Sequence, residues 1–144
     1  MKQLLKKYYI IAAIIPAIIG IIATSIFSII DTIGYKSEWL TRESAIFMDI
    51  IFSTVYCGVI CILSLTIFFN QFEKVRKNIF LRICSWFLLP FSFITMVFIH
   101  EINVEKIKYF IPLILLNVPF ILGLVFSYVI FLKKQNLQKW NLKS

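Results

Sequence analysis

The chain has 144 residues, of which 60% are hydrophobic and 17% aromatic, and its formal net charge is +8. Soluble domains contain about 45–50% apolar residues, and a domain this short leaves much of its surface exposed to solvent. With a mean hydropathy of +0.91, the composition excludes a soluble fold and predicts an integral membrane protein.

Four apolar runs predict four transmembrane helices, at Tyr8–Ile30, Ala45–Phe69, Ile79–Ile99 and Tyr109–Leu132. About 20 residues at about 1.5 Å each are needed to cross a hydrocarbon core about 30 Å thick. Because the connecting loops are short, consecutive helices are expected to be adjacent and antiparallel. We therefore predict an all-α, polytopic integral membrane protein, with one transmembrane domain over residues 1–144 and an antiparallel four-helix bundle.

The basic residues are distributed unevenly between the segments that flank these runs. Only Lys36, Arg42, Lys106 and Lys108 lie in the first and third loops. The other eleven lie at the two termini or around the middle loop: Lys2, Lys6, Lys7, Lys74, Arg76, Lys77, Arg82, Lys133, Lys134, Lys139 and Lys143. The positive-inside rule then predicts cytoplasmic N and C termini. We also expect a multi-pass protein of a bacterial cytoplasmic membrane. The charge is expected to face membrane lipids, not nucleic acid.

The acidic residues show the opposite distribution. Only Glu73 falls on the predicted cytoplasmic side, whereas the outer side carries Asp31, Glu38, Glu43, Asp49, Glu101 and Glu105. An acidic surface attracts cationic partners by charge complementarity. The outer face is therefore a candidate surface for a cationic partner.

Small residues at helical spacing predict the faces on which the helices pack. Apolar side chains gain little from leaving lipid, so membrane helices associate through close backbone approach and interhelical hydrogen bonds. The predicted packing residues are Ala13, Ala17, Gly20 and Thr24 in the first run, Ser53, Cys57 and Cys61 in the second, and Gly123 and Ser127 in the fourth.

Motifs for metal, redox or nucleophilic catalysis are missing from the sequence. A zinc-protease helix needs two histidines, and His100 is the only histidine in the chain. Cys57 and Cys61 are four residues apart and do not form a C-x-x-C motif, so they are predicted to pack as small hydrophobic residues. No catalytic residue, metal or cofactor is predicted, and the protein is not expected to be an enzyme.

Several polar residues fall in the predicted outer half of the bundle. The candidates are Asp31, Asp49, Ser53, Tyr56, His100, Glu101 and Asn117. If the helices form one bundle, these side chains could meet around an outward-facing polar pocket or partner surface. The alternative interpretation is that each is a separate interfacial or interhelical polar residue.

The start of the third run, "IFLRICSWFLLPFSF" at Ile79–Phe93, combines a basic residue, a cysteine and a proline. Together with the four-run layout, it resembles the small immunity proteins that protect bacteria against pore-forming bacteriocins or secreted membrane toxins. The resemblance implies recognition of a protein partner's helices inside the membrane and assigns no residue a role.

Three functional hypotheses follow from the sequence. The first is a small membrane protein that recognises a protein partner, as an immunity protein or as a subunit of a complex. The second is a small homo-oligomeric transporter or channel, with the outer polar pocket as its vestibule. The third is an interfacial enzyme centred on His100.

Overall fold

The computed structural model describes residues 2–33, 41–103 and 110–141, and the side chains of residues 2–33, 41–100 and 111–135. Four long helices account for most of it: α1 (Lys2–Asp31), α2 (Arg42–Gln71), α3 (residues 79–103) and α4 (Phe110–Asn141). A short linker helix, Glu73–Lys77, joins α2 to α3. Position 109, the predicted start of the fourth span, lies outside the described residues.

All four long helices are long and apolar enough to cross a membrane, by length and composition. The shortest of these candidate spans, Ile79–His100, has 22 residues, which is about 33 Å at about 1.5 Å per residue. Every regular element among the described residues is helical. The prediction of an all-helical chain with four membrane-length helices is confirmed at this level.

Local polar side chains set the starts of α2 and α3. The Thr41 hydroxyl accepts a hydrogen bond from the Ser44 N–H at 3.3 Å. The Asn78 side chain accepts from the N–H groups of Phe80 and Leu81, at 2.9 and 3.3 Å. Such N-caps satisfy donors that the first turn of a helix leaves without partners.

Two of the long helices contain a wider π-helical turn, and each of these turns ends two residues before a proline. The turn in α1 spans Ile10–Ile14 ahead of Pro16, and the turn in α3 spans Cys84–Leu88 ahead of Pro90. A proline cannot donate to the carbonyl four residues earlier, so the regular ladder is interrupted there. A π turn is one way in which a helix accommodates such an interruption.

Helices α1 and α4 pack closely at two glycines. Gly20 lies against Leu116, where an added Cβ would be 3.4 Å from the Leu116 Cα. Further along, Gly123 faces the Pro16 ring and the carbonyls of Ile11 and Ala12. Glycine allows these backbones to approach, as is typical of membrane helix interfaces.

An aromatic cluster fills the core where the first turns of α1 meet α3 and α4. Its centre is Trp86, which is fully buried. The Trp86 ring centroid lies 6.4 Å from that of Tyr8, 5.5 Å from Tyr128 and 5.6 Å from Phe131. These separations fall in the range of favourable tilted and edge-to-face aromatic pairs.

The two ends of the bundle carry opposite charge. The basic end has exposed lysines at the start of α1, in the linker helix and late in α4: Lys2, Lys6, Lys7, Lys74, Lys77, Lys133 and Lys134. The acidic end has exposed Asp31, Glu43 and Asp49. Between the ends, the outward faces of the helices carry large apolar side chains, such as Ile18, Ile22 and Ile26 of α1.

Candidate functional site

The first polar contact between helices lies toward the acidic end. The Ser28 hydroxyl of α1 donates to Asp49 Oδ2 of α2 at 2.6 Å. Ser28 is buried, whereas Asp49 is exposed. A hydrogen bond to a carboxylate is stronger than one between neutral groups, so this contact fixes α1 against α2 at the predicted outer half.

A second contact joins α2 to α4 nearer the middle of the helices. The Tyr56 hydroxyl donates to Asn117 Oδ1 at 2.9 Å, and Asn117 Nδ2 donates to the Leu113 carbonyl of its own helix at 2.8 Å. Asn117 is only 1% exposed. Because its oxygen and nitrogen both have partners, this buried amide avoids the cost of an unsatisfied polar group.

The remaining residues of the predicted outer pocket are placed as follows. Ser53 is buried on α2 between Asp49 and Tyr56, while Asp31 and His100 are exposed at the ends of α1 and α3. Glu101 lies in α3, and its side chain is outside the described part. Among the described side chains, no hydrogen bond joins Asp31 or His100 to the two polar pairs.

The predicted packing residues occupy interior positions on three helices. Ala13, Ala17, Gly20, Thr24, Ser53, Cys57 and Ser127 are buried, and Cys61 and Gly123 are half-buried. Cys61 makes two contacts with α1: its carbonyl accepts from the Tyr9 hydroxyl at 3.0 Å, and its thiol approaches the Ala13 carbonyl at 3.7 Å. These contacts hold α2 against the π turn of α1.

Sequence reasoning did not find a polar network at the basic end. Asn70 Nδ2 of α2 donates to Ser85 Oγ of α3 at 2.6 Å, and Ser85 Oγ donates to the Arg82 carbonyl at 2.7 Å. Arg82 Nη1 in turn donates to Gln135 Oε1 of α4 at 2.9 Å. The only sequence signals were Asn70, directly after the second apolar run, and Ser85, inside the third, and polar residues near run ends are commonly interfacial.

Four buried polar atoms in the described side chains lack a hydrogen-bond partner. They are Asn70 Oδ1, Arg82 Nε, Trp86 Nε1 and Ser127 Oγ. Three of these atoms lie in or next to the network at the basic end, on Asn70, Arg82 and Trp86. The fourth is on Ser127, which precedes Tyr128, and the Tyr128 ring packs on Trp86. Buried polar atoms normally have partners, so this end of the bundle is the less completely satisfied one.

A shallow groove of about 300 Å³ runs along the outward face of α3. It is lined by Ile83, Cys84, Phe87, Leu88, Phe91, Ser92 and Thr95. Ser92 and Thr95 are exposed there, and the Ser92 hydroxyl donates to the Leu88 carbonyl of its own helix at 2.8 Å. Small and hydroxyl side chains on an outward helix face permit close approach of a second helix.

The described residues contain no group of three or more histidine, cysteine, aspartate or glutamate side chains arranged to hold a metal ion. No protein-family model, curated protein sequence or solved structure matches the chain.

Proposed function

We propose that the protein is a multi-pass membrane protein whose four long helices span the bilayer in antiparallel order, with the basic end in the cytoplasm. The length and composition of the helices support insertion. Two contacts support an antiparallel α1–α2 pair. Tyr9, early in α1, meets Cys61, late in α2, whereas Ser28, late in α1, meets Asp49, early in α2. The lysines clustered at one end support the orientation.

Within the membrane, we propose that the protein acts by recognising a helix of a protein partner through the outward face of α3. The observation that carries this proposal is the groove that includes Ser92 and Thr95. In this proposal the polar side chains of the core hold the bundle together, as Tyr56 and Asn117 do. The outward face of α3 is then free to contact another helix.

Immunity against a membrane-active toxin is the specific form of this function that we favour. The resemblance to immunity proteins rests on Ile79–Phe93, and the groove begins at Ile83 within the same stretch. The exposed carboxylates of Asp31, Glu43 and Asp49 would attract a cationic partner to the acidic end. A role as a subunit of a membrane complex uses the same surface.

Filling the groove tests this proposal. Ser92→Leu and Thr95→Leu would place branched side chains where a partner helix must approach, and should reduce partner recovery by crosslinking and mild-detergent pull-down from native membranes. Thr54→Leu is the matched control, because Thr54 is also exposed and its hydroxyl bonds within its own helix, to the Ile50 carbonyl at 2.7 Å. Equal recovery with all three variants would refute recognition through α3.

One observation favours a small homo-oligomeric transporter or channel as the second candidate. Asp49 lies within a membrane-length helix, and ionisable residues in such helices commonly take part in ion or substrate pathways. This candidate predicts flux in proteoliposomes that Asp49→Asn abolishes. Absence of flux with the parent protein, or unchanged flux with the variant, would eliminate it.

A further inference from the structure

Arg82 is a half-buried cation in the first turn of α3, and its guanidinium contacts Gln135 of α4. Its Nη1 donates to Gln135 Oε1 at 2.9 Å and approaches the Arg76 carbonyl at 3.4 Å. Both acceptors are neutral, so neither compensates the positive charge of the guanidinium.

The other edge of this guanidinium is not used. Its Nε is buried and has no hydrogen-bond partner, and both hydrogen bonds of the side chain use Nη1. Because Nε is covered by the protein, an anion from outside the chain would reach the guanidinium through Nη2, which makes no hydrogen bond to the described residues and is not among the buried atoms without a partner. Leaving a partly buried cation without a counter-charge is unfavourable, so the free Nη2 favours an anion.

The chain supplies no such anion among its described residues. Glu73 is the acidic residue at the basic end, and it is paired with Lys77 at 2.7 Å. Lys133 and Lys134 are exposed and directly precede Gln135, the residue that Arg82 contacts. The exposed lysines at this end of the bundle add positive charge, which strengthens the attraction for an anion from outside the chain.

We propose that Arg82 binds the phosphate of an anionic phospholipid at the basic end of the bundle, where it meets Gln135 of α4, and that the exposed Lys133 and Lys134 strengthen the attraction. The site lies at the end of two membrane-length helices, the depth at which lipid headgroups occur. Anionic lipids are favoured over zwitterionic ones because Lys133 and Lys134 have no acidic partner among the described side chains. This proposal is independent of partner recognition, because Arg82 does not line the α3 groove.

Competitive lipid retention tests the proposal. The full chain is reconstituted in nanodiscs containing equal parts of phosphatidylcholine and phosphatidylglycerol, extracted into mild detergent, and examined by native mass spectrometry for bound lipid. Wild-type protein should retain phosphatidylglycerol preferentially, and Arg82→Gln should weaken that retention about tenfold, as expected for loss of a charge-assisted contact. Arg82→Lys, which keeps the positive charge but presents its donors in a different geometry, should fall between them.

Arg42→Gln is the matched control, because Arg42 is an arginine at the acidic end and donates to the Ile29 carbonyl at 3.3 Å. Its phosphatidylglycerol retention should equal that of the wild type. Circular dichroism of each variant establishes that the helices are intact. Retention that is unchanged by Arg82→Gln and Arg82→Lys, or reduced equally by Arg42→Gln, would overturn the proposal.

A separate experiment distinguishes a lipid headgroup from a soluble phosphate compound. Inorganic phosphate is added to the protein in phosphatidylcholine nanodiscs, and the melting temperature is recorded. A lipid site predicts no specific stabilisation at millimolar phosphate. Stabilisation that Arg82→Gln removes would instead assign the site to a soluble phosphate and overturn its identification as a lipid site.

Discussion

Gly123 of α4 faces Pro16 of α1 so closely that an added Cβ would lie 2.5 Å from the proline Cγ. The same Cβ would lie 3.2 Å from the Ile11 carbonyl oxygen and 3.3 Å from that of Ala12. Ala12 is four residues before Pro16, so its carbonyl lacks the donor that a regular helix would supply. Glycine at position 123 thus lets α4 pack directly on the interrupted part of α1.

Gly123→Ala should therefore destabilise the bundle. Overpacking of this kind costs about 1–3 kcal/mol, and a proline ring and two carbonyls have little freedom to move away. Gly58→Ala is the control, because nothing lies within 4 Å of a Cβ at Gly58. Unfolding in mixed micelles, followed by circular dichroism, measures both variants. Equal stability of the two would show that α1 and α4 are not packed this closely.

The Tyr56–Asn117 pair should contribute a measurable coupling energy between α2 and α4. Tyr56→Phe removes the hydroxyl that donates to Asn117 Oδ1 at 2.9 Å, and Asn117→Leu removes the acceptor. Interhelical hydrogen bonds in membrane proteins contribute about 0.6 kcal/mol on average and up to about 1.7. A double-mutant cycle should give a coupling in that range. If the changes in the free energy of unfolding caused by the two substitutions simply add, the two side chains are not in contact.

The Ser28–Asp49 contact predicts a difference between two serines of α1. Ser28→Ala removes the donor to Asp49 Oδ2 and should lower stability by about 1 kcal/mol. Ser25→Ala should have a smaller effect, because Ser25 bonds only to the Ile21 carbonyl of its own helix at 2.7 Å. In an Asp49→Asn background, the difference between the two alanine variants should shrink. An undiminished difference would mean that it does not arise from the carboxylate.

Ser127 and Ser64 should respond oppositely to replacement by alanine. Both are fully buried, but Ser127 Oγ has no partner whereas Ser64 Oγ donates to the Ile60 carbonyl at 2.8 Å. Removing an unsatisfied buried hydroxyl is neutral or stabilising, whereas removing a bonded one costs about 1 kcal/mol. Ser127→Ala should unfold at the same or a higher denaturant concentration than wild type. A clear loss of stability would reveal a partner for Ser127.

The Glu73–Lys77 pair of the linker helix predicts a small, pH-dependent effect. The hydrogen bond and positive charge of Lys77 hold the pKa of Glu73 below its usual value of 4.5. A lowered carboxyl pKa means that the stabilisation is present above pH 4.5 and is lost as the pH falls through the lowered value. The melting temperatures of wild type and Glu73→Gln should therefore converge in acid. A difference that grows on acidification would contradict this sign.

The resemblance to immunity proteins, the cytoplasmic orientation and the partner remain predictions. Among the candidate outer residues, Asp49, Tyr56 and Asn117 take part in interhelical hydrogen bonds with defined partners. The partner of Asp49 is Ser28, which was not among the candidates for the outer pocket. A serine in an apolar run gives no sign in the sequence of which helix it will face.

Composition and the lengths of the apolar runs by themselves determined that the chain is helical with four membrane-length helices, because backbone polar groups in lipid must be satisfied within each segment. Proline lacks the N–H on which a regular helix depends, yet the sequence did not decide where a π turn forms: one precedes each of Pro16 and Pro90, whereas α4 is α-helical on both sides of Pro119. Only the tertiary structure decided which side chains meet across the helices. The network from Asn70 through Ser85 to Arg82 and Gln135 depends on how each helix is rotated and how far it is shifted along its neighbours. Small differences in packing decide that rotation and shift, and the hydropathy of the sequence does not encode them.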